Sequence, residues 1–549
     1  MALVKIINKS PFGKLLILGF VLGVLWIHNA PVRAEIQEES KLTVDLTANQ
    51  GWVDGPGAAN SALSQDAHLN NDISYNYQRS DGTNNFHFGF QGRYTDDRSV
   101  DPEYWSLTNL ALDWQDPATK LSAGDVMADF SGYSLSGSVK GASLGYQFGS
   151  GESQVGRPEI GVVYGVAYPR WDSFWGGPEV KALKRLVGGV NVRDSVSDKA
   201  DLGLRFVRTD DSDRISDWDQ LFQNRIYSFN WEFRPREGMT LKGESAFSDT
   251  VESPAAGEPD QSYQGNAHQL AFSVDGKHQK WLYEYELVSP KFTSLAGSAM
   301  TDQERMKLTW TGNLNPDLTL SAGAAYSHND LPESSQTYRT DMFQPQVTLS
   351  FITPFHRENA SLDLGMRLDS THGGDSIANN YCVTAEYRDS FGKLDCDLGL
   401  EYDFDDAMPY DFGAKSENFM YNLTLGTEVK KEQYTLKPTL NFSFTRNSDL
   451  LNHYDDRILE SSVGLAYNRP QTNFSVGFKT GWNQNLKESS PDTGKWFGNL
   501  RIDGQPKLLR KLGANTKLFL EVNVNNFTFD NAGDNYRETS AVAGLHLEF

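Results

Sequence analysis

Two cysteines in 549 residues, Cys382 and Cys396, are too few for a disulfide framework, a Cys-x-x-Cys-His haem site or a four-ligand metal cluster. Long apolar runs are scarce as well. After Ala34 no stretch approaches the twenty apolar residues of a membrane-spanning helix, which excludes a helical membrane protein. Positive charge is in deficit: 50 Lys and Arg against 72 Asp and Glu leave a formal charge of -22, the wrong sign for nucleic-acid phosphates. The ten histidines are scattered, and no Gly-rich phosphate loop, His-Glu-x-x-His or interpretable Ser-His-acid set occurs, so neither catalysis nor a cofactor is expected. No motif recurs at fixed period, which argues against a β-helix or propeller. No Pro-Gly-Ser-rich linker divides the chain, so one domain is expected.

The first segment present is a secretory signal. Lys5, Lys9 and Lys14 form a basic start, Leu15 to Ile27 an apolar core too short to cross a bilayer, and Val32 and Ala34 suit cleavage after Ala34. Residues 1–34 are therefore expected to leave and 35–549 to fold. Cleavage removes four positive charges, Lys5, Lys9, Lys14 and Arg33, and no acid, so -22 becomes -26. Export places both cysteines in an oxidising compartment, where pairing is the default. Alternation sets Cys382 opposite the apolar face of Tyr381, Val383, Ala385 and Tyr387, and Cys396 with Leu394, Leu398 and Leu400, so the thiols should point to opposite sides of a sheet.

From about Lys41 onward one pattern repeats: some ten residues of alternating polarity, a short turn, another such run, then a longer polar connection. Outward faces name themselves in Tyr227, Phe229, Trp231 and Phe233, in Leu362, Leu364, Met366 and Leu368, and in Leu436, Pro438, Leu440, Phe442 and Phe444. Pro438 lacks an N–H and should disturb its ladder. Thr539, Ala541, Ala543, Leu545, Leu547 and Phe549 form a last apolar face that ends on an aromatic residue. Together these runs resemble the bacterial outer-membrane β-barrel proteins as a broad class. Gly544, Leu547 and Phe549 resemble their C-terminal assembly signal, with Val542 where a polar residue usually opens it. The resemblance implies an all-β fold: a single large antiparallel up-and-down transmembrane barrel of about 26 strands, with short periplasmic turns and long extracellular loops. It implies lipid, lipopolysaccharide and the barrel assembly machinery as partners.

Inward positions follow from the outward ones. Arg305, Lys307, Asp363, Arg367, Glu386, Arg388, Asp395, Asp397 and Glu401 are the candidate lumen lining, and Asp363, Glu386, Asp395, Asp397 and Glu401 a candidate cation-preferring stripe. A lumen this wide needs closure. The loop with Trp171, Phe174 and Trp175 is the candidate constriction, since exposed rings need a partner; packing within the mouth is the plainer role for them. The polar runs Phe130 to Val139, Asp403 to Asn418 and Asn447 to Arg457 are read as long loops. The expected function is an outer-membrane channel or conduit narrowed by its own loops. The alternative is a non-catalytic sleeve around a periplasmic or lumen-filling partner such as a multihaem cytochrome.

Overall fold

A computed structural model describes residues 37–549 apart from 150–154, 177–180, 213–214, 217–218, 255–257, 337, 410–413, 489 and 506–515. The expected signal, 1–34, lies outside the described residues. Among these, 27 strands, β1 to β27 in chain order, form a single sheet in which neighbours along the chain run antiparallel. The two-residue β21 (Val429–Lys430) continues the line of β20 (Lys415–Thr427) along β22 (Thr435–Asp449), so the wall is a closed barrel of 26 strands.

Closure is made by β1 (Gln37–Asp54) and β27 (Tyr536–Glu548), in register from Thr43↔Glu548 to Asp54↔Arg537. At the terminal end Leu42 and Phe549 exchange both backbone hydrogen bonds, at 3.1 and 2.9 Å. Inside the seam, Lys41 reaches Glu548 at 2.9 Å and His546 reaches Asp45 at 2.6 Å. With the seam closed the sheet has no terminal edge, and its first and last strands satisfy their backbone against each other in an apolar surround.

Alternation decides the two faces. In β24 (Phe474–Leu486), Phe474, Phe478 and Trp482 are exposed on one side, while Ser475, Gly477, Lys479 and Asn483 take the other. Exposed aromatic residues gather toward both strand ends: Tyr146, Phe233, Trp281, Phe474 and Phe549 near the termini, and Trp52, Trp105, Tyr164, Tyr227 and Tyr381 at the far end. Aliphatic residues such as Leu204, Leu364 and Leu440 lie between. Two aromatic girdles around an apolar band are the mark of a wall in lipid. The cysteines are free, Cys382 buried and Cys396 half-buried, on opposite faces. The β20–β21 ladder breaks at Thr427 and Glu428, opposite Pro438 and Lys437, where the missing N–H was expected to disturb pairing.

One expectation is corrected. Several stretches read as long loops are strand. Asp403, Asp405 and Asp406 belong to β19 (Leu394–Met408), and Asn447 to Asp449 pair with Tyr454 to Asp456. Beyond lipid a strand needs no apolar face, so the hydrophobic alternation fades while the backbone ladder continues.

Candidate functional site

The site starts from apolar residues on the wrong face. Val163, Val187, Val207, Ile226, Ala246, Ala267 and Val288 stand on seven successive strands from β7 (Glu159–Val166) to β13 (Gln279–Val288), and all point inward and are buried. An apolar stripe in a hydrated lumen must be covered. Its cover is the hairpin of β5 (Thr119–Ser131) and β6 (Leu135–Gln147). Wall pairing of β5 with β4 (Trp105–Gln115) ends at Ala111↔Gly124, and that of β6 with β7 ends at Lys140↔Val166. Beyond those points the hairpin pairs only with itself, from Asp125↔Lys140 to Ser131↔Leu135.

Glycines permit the turn inward. Gly124 has φ +102°, and a Cβ there would stand 2.2 Å from the Leu110 carbonyl oxygen. At the other edge a Cβ on Gly141 would stand 2.1 Å from the Tyr164 carbonyl oxygen. No other residue type fits either place.

Once inside, Val126, Ala128, Leu135 and Val139 pack on Val163, Val187 and Val207. Tyr133 at the tip lies among Ile226, Ala246, Ala267, Val288 and Phe292, its hydroxyl donating to Glu286 Oε1 at 2.8 Å. Phe292 comes from a second inward element, the connection 289–302. It lies so close to Gly265 that a Cβ on that glycine would stand 2.1 Å from the Phe292 nitrogen. Asn224 Nδ2 donates to the Thr293 carbonyl at 2.8 Å, and the Thr293 N–H donates to Ser248 Oγ at 3.1 Å. The hairpin and the connection bind each other through Ser136 N–H to Ala296 O and Ser298 N–H to Gly132 O, both 2.8 Å. Burial of each Val, Leu or Phe contributes roughly 1.5–3 kcal/mol, so the two pieces hold on the order of 10 kcal/mol before the cost of ordering them.

The base of the hairpin carries a polar latch. Lys140 Nζ lies 2.7 Å from Asp125 Oδ1, with side chains only 6% and 12% exposed. Asp125 Oδ2 accepts from Trp171 Nε1 at 2.6 Å and from the Leu110 N–H at 2.8 Å, the donor left over where β4 loses β5. Trp171 opens a 3-10 turn, Trp171–Phe174, which packs against β4. Arg170 anchors that turn to Asp101 at 2.7 Å and to Asp172. Burial would raise the Asp101 carboxyl, but Arg170, the Glu103 N–H and the Ser106 hydroxyl hold it below the usual carboxylate range.

Of the aromatic residues expected at a constriction, Trp171 is therefore buried at the hairpin base, while Phe174 and Trp175 are exposed, with Phe174 edge-on to Tyr168 at 4.7 Å. The elements that enter the lumen are others. Phe130 to Val139, read from sequence as a loop, is the distal part of this hairpin, a correction. Its signal lay in inward apolar residues scattered over seven strands. Each looks trivial alone.

The register places all nine candidate lining residues on the same side as the hairpin. Arg305 pairs with Glu286 at 2.8 Å, Lys307 stands opposite Glu284, and Arg367 bonds Asp369 at 2.8 Å. Asp363 stands opposite Glu386, and Arg388 contacts Glu386 and, at 3.6 Å, Asp397. Asp395 accepts from Ser390 at 2.6 Å. Ligand atoms of Glu401, Asp403 and Cys382 lie within 4.8 Å of one another, one short of a tetrahedral set.

No protein-family model and no curated protein sequence matches this chain. Among solved structures it is similar to a chain of the E. coli P pilus tip assembly intermediate PapC-PapD-PapK-PapG, at 12% identity and TM-score 0.48 over 94% of this chain and 62% of that one. It is similar to the P pilus usher (PapC) translocation pore at 9% and 0.40, over 93% and 99%. The E. coli outer membrane transporter YddB stands at 8% and 0.42, over 94% and 81%. Likenesses at this level carry no function across. The wall itself, closed, antiparallel, girdled outside and wet inside, makes the chain a transmembrane β-barrel of the bacterial outer-membrane class.

The terminal triad has distinct places in it. Leu547 and Phe549 face lipid; Gly544 faces the lumen beneath Phe519, whose ring would lie 2.2 Å from a Cβ there. Deleting Phe549 removes both hydrogen bonds that close the seam at this end. The expected result is normal synthesis with a marked loss of heat-modifiable barrel in the outer-membrane fraction. Wild-type amounts would count against it.

Proposed function

We propose that this protein is an outer-membrane channel for polar solute, with its short turns in the periplasm and its passage narrowed by the hairpin of β5 and β6 and the 289–302 connection. The observation behind this is that the chain supplies its own lumen filling, docked on seven strands, and leaves the charged strands from β14 (Gln303–Asn315) onward uncovered. A sleeve around a partner protein would need that filled space. Lipid, lipopolysaccharide and the assembly machinery are the partners this location implies.

The test is a shortened hairpin. Val126 and Val139 face each other across it, so Met127 to Ser138 can be replaced by a two-residue Asn-Gly turn. In planar bilayers, single-channel conductance should rise roughly two- to fivefold, as the passage gains the area the hairpin gave up. Equal conductance refutes the constriction. Intact protein that already conducts as an open cylinder would favour the sleeve.

A further inference from the structure

Inward Phe, Tyr and Trp side chains of the wall concentrate on three strands, β25 (Thr493–Gly504), β26 (Lys517–Phe529) and β27. On these three they are Phe497, Phe519, Phe527, Phe529 and Tyr536, against Phe222, Tyr263 and Tyr454 on all the other described strands. On these three strands the register is Phe519 opposite Asp503, Phe497 opposite Asn525, and Phe527 opposite Lys495. Phe519 and Phe527 are eight residues apart, about 27 Å of wall at strand rise. The rings thus run along the pore, on a part of the wall that the hairpin and the 289–302 connection leave bare.

Phe497, Phe519 and Phe527 each have a cation over the ring. Arg501 stands 4.7 Å from the Phe519 centroid, Lys479 5.5 Å from Phe497 and Lys495 5.2 Å from Phe527. Arg501 is neutralised by Asp503 at 2.9 Å and Glu521 at 3.0 Å. Lys479 and Lys495 make no ion pair among the described residues, in a chain whose acids outnumber its bases 72 to 50. Between the rings stand planar amides: Asn499 donates to Glu521 at 2.9 Å and to Asn523 at 2.6 Å, and Asn525 faces Phe497.

A lone ring in a wet lumen is a liability, whereas a row of rings spaced by amides and unpaired ammonium groups is a surface for a ligand that alternates flat apolar faces with hydroxyls and negative charge. A chain of uronic-acid sugars has that chemistry: C–H faces to stack, hydroxyls for amides, a carboxylate on each ring. A hydrocarbon leaves the amides and lysines unmatched, and a neutral sugar leaves the lysines unmatched. We propose that Phe497, Phe519, Phe527, Lys479 and Lys495 form a binding track for an acidic saccharide crossing the pore, an inference that rests on the channel function above.

The probe is a short oligomer of galacturonic acid added to the protein in a planar bilayer. It should interrupt the ionic current in a concentration-dependent way, and a neutral maltooligosaccharide of the same length should need about tenfold more. Phe497→Ala or Phe527→Ala should weaken the block of both sugars about three- to tenfold. The double variant Lys479→Gln, Lys495→Gln should weaken only that of the acidic one. Heat-modifiability confirms that each variant is folded. A clear current that the acidic oligomer leaves untouched overturns the track and spares the channel, and so does an interruption indifferent to all these substitutions. Equal action by a simple aromatic carboxylate overturns the saccharide. If no current flows, the channel is wrong and calorimetry on the detergent-folded barrel decides the track: heat of binding lost in the lysine double variant supports it, and no heat with wild type overturns it.

Discussion

Arginine in place of Leu364 or Phe442 is expected to cost the folded barrel about 2–4 kcal/mol, the penalty of a cation near the bilayer midplane. Leu364 sits within the apolar band between Leu349 and Ala385, exposed to the outside; Phe442 sits between Leu423 and Ser461. Neither has an inward route by which a guanidinium could reach water without tearing the ladder. Asp397→Asn is the contrasting change. Its carboxylate faces the lumen, half exposed and 3.6 Å from an equally exposed Arg388, so its loss should cost within about 0.5 kcal/mol. Urea titrations of folding into vesicles read both. If Asp397→Asn were the more damaging, the faces would be displaced by one residue, and every lumen assignment with them.

What the sequence makes legible is what lipid imposes. Leu364 and Leu440 face out because the bilayer requires it, so strand number, face assignment, the opposed cysteines and the closing role of Phe549 can be read from alternation. Outside lipid that constraint lapses: Asp403 to Asp406 look like a loop and are strand. The lumen is harder still. Val163, Val187 and Val207 are single apolar residues on otherwise ordinary inward faces, and their meaning appears only when register sets them side by side. The hairpin that covers them is diluted by Ser and Gly, with Val126, Leu135 and Val139 spread over polar sequence. The rings of the proposed saccharide track alternate correctly, yet Phe497 and Phe527 give no sign of facing water until the ladder shows that Leu500 and Val522 hold the lipid side.

The latch provides the sharpest separation of barrel from gate. Asp125→Ala leaves the Lys140 ammonium buried without its counter-charge and strips the Trp171 N–H and the Leu110 N–H of their acceptor. Breaking one side of a buried pair costs roughly 3–5 kcal/mol, a large part of what the docked hairpin can hold once its ordering is paid for. The cost falls on the hairpin base, since the wall pairs of β5 and β6 and the β1–β27 seam do not pass through Asp125. The barrel should therefore keep its heat-modifiability and outer-membrane yield, while the hairpin tip, Phe130 to Leu135, becomes cleavable by added protease and the single-channel current acquires steps toward the conductance of the shortened-hairpin variant. Removing both charges, as Asp125→Leu with Lys140→Met, leaves no buried ion and should restore much of the closed behaviour, because a buried pair exchanged for apolar groups is often neutral. A single Asp125→Ala channel as quiet and protease-resistant as wild type would mean that the apolar dock on Val163, Val187 and Val207 alone holds the hairpin in. The Trp171 turn would then be only a filler of the gap beside β4.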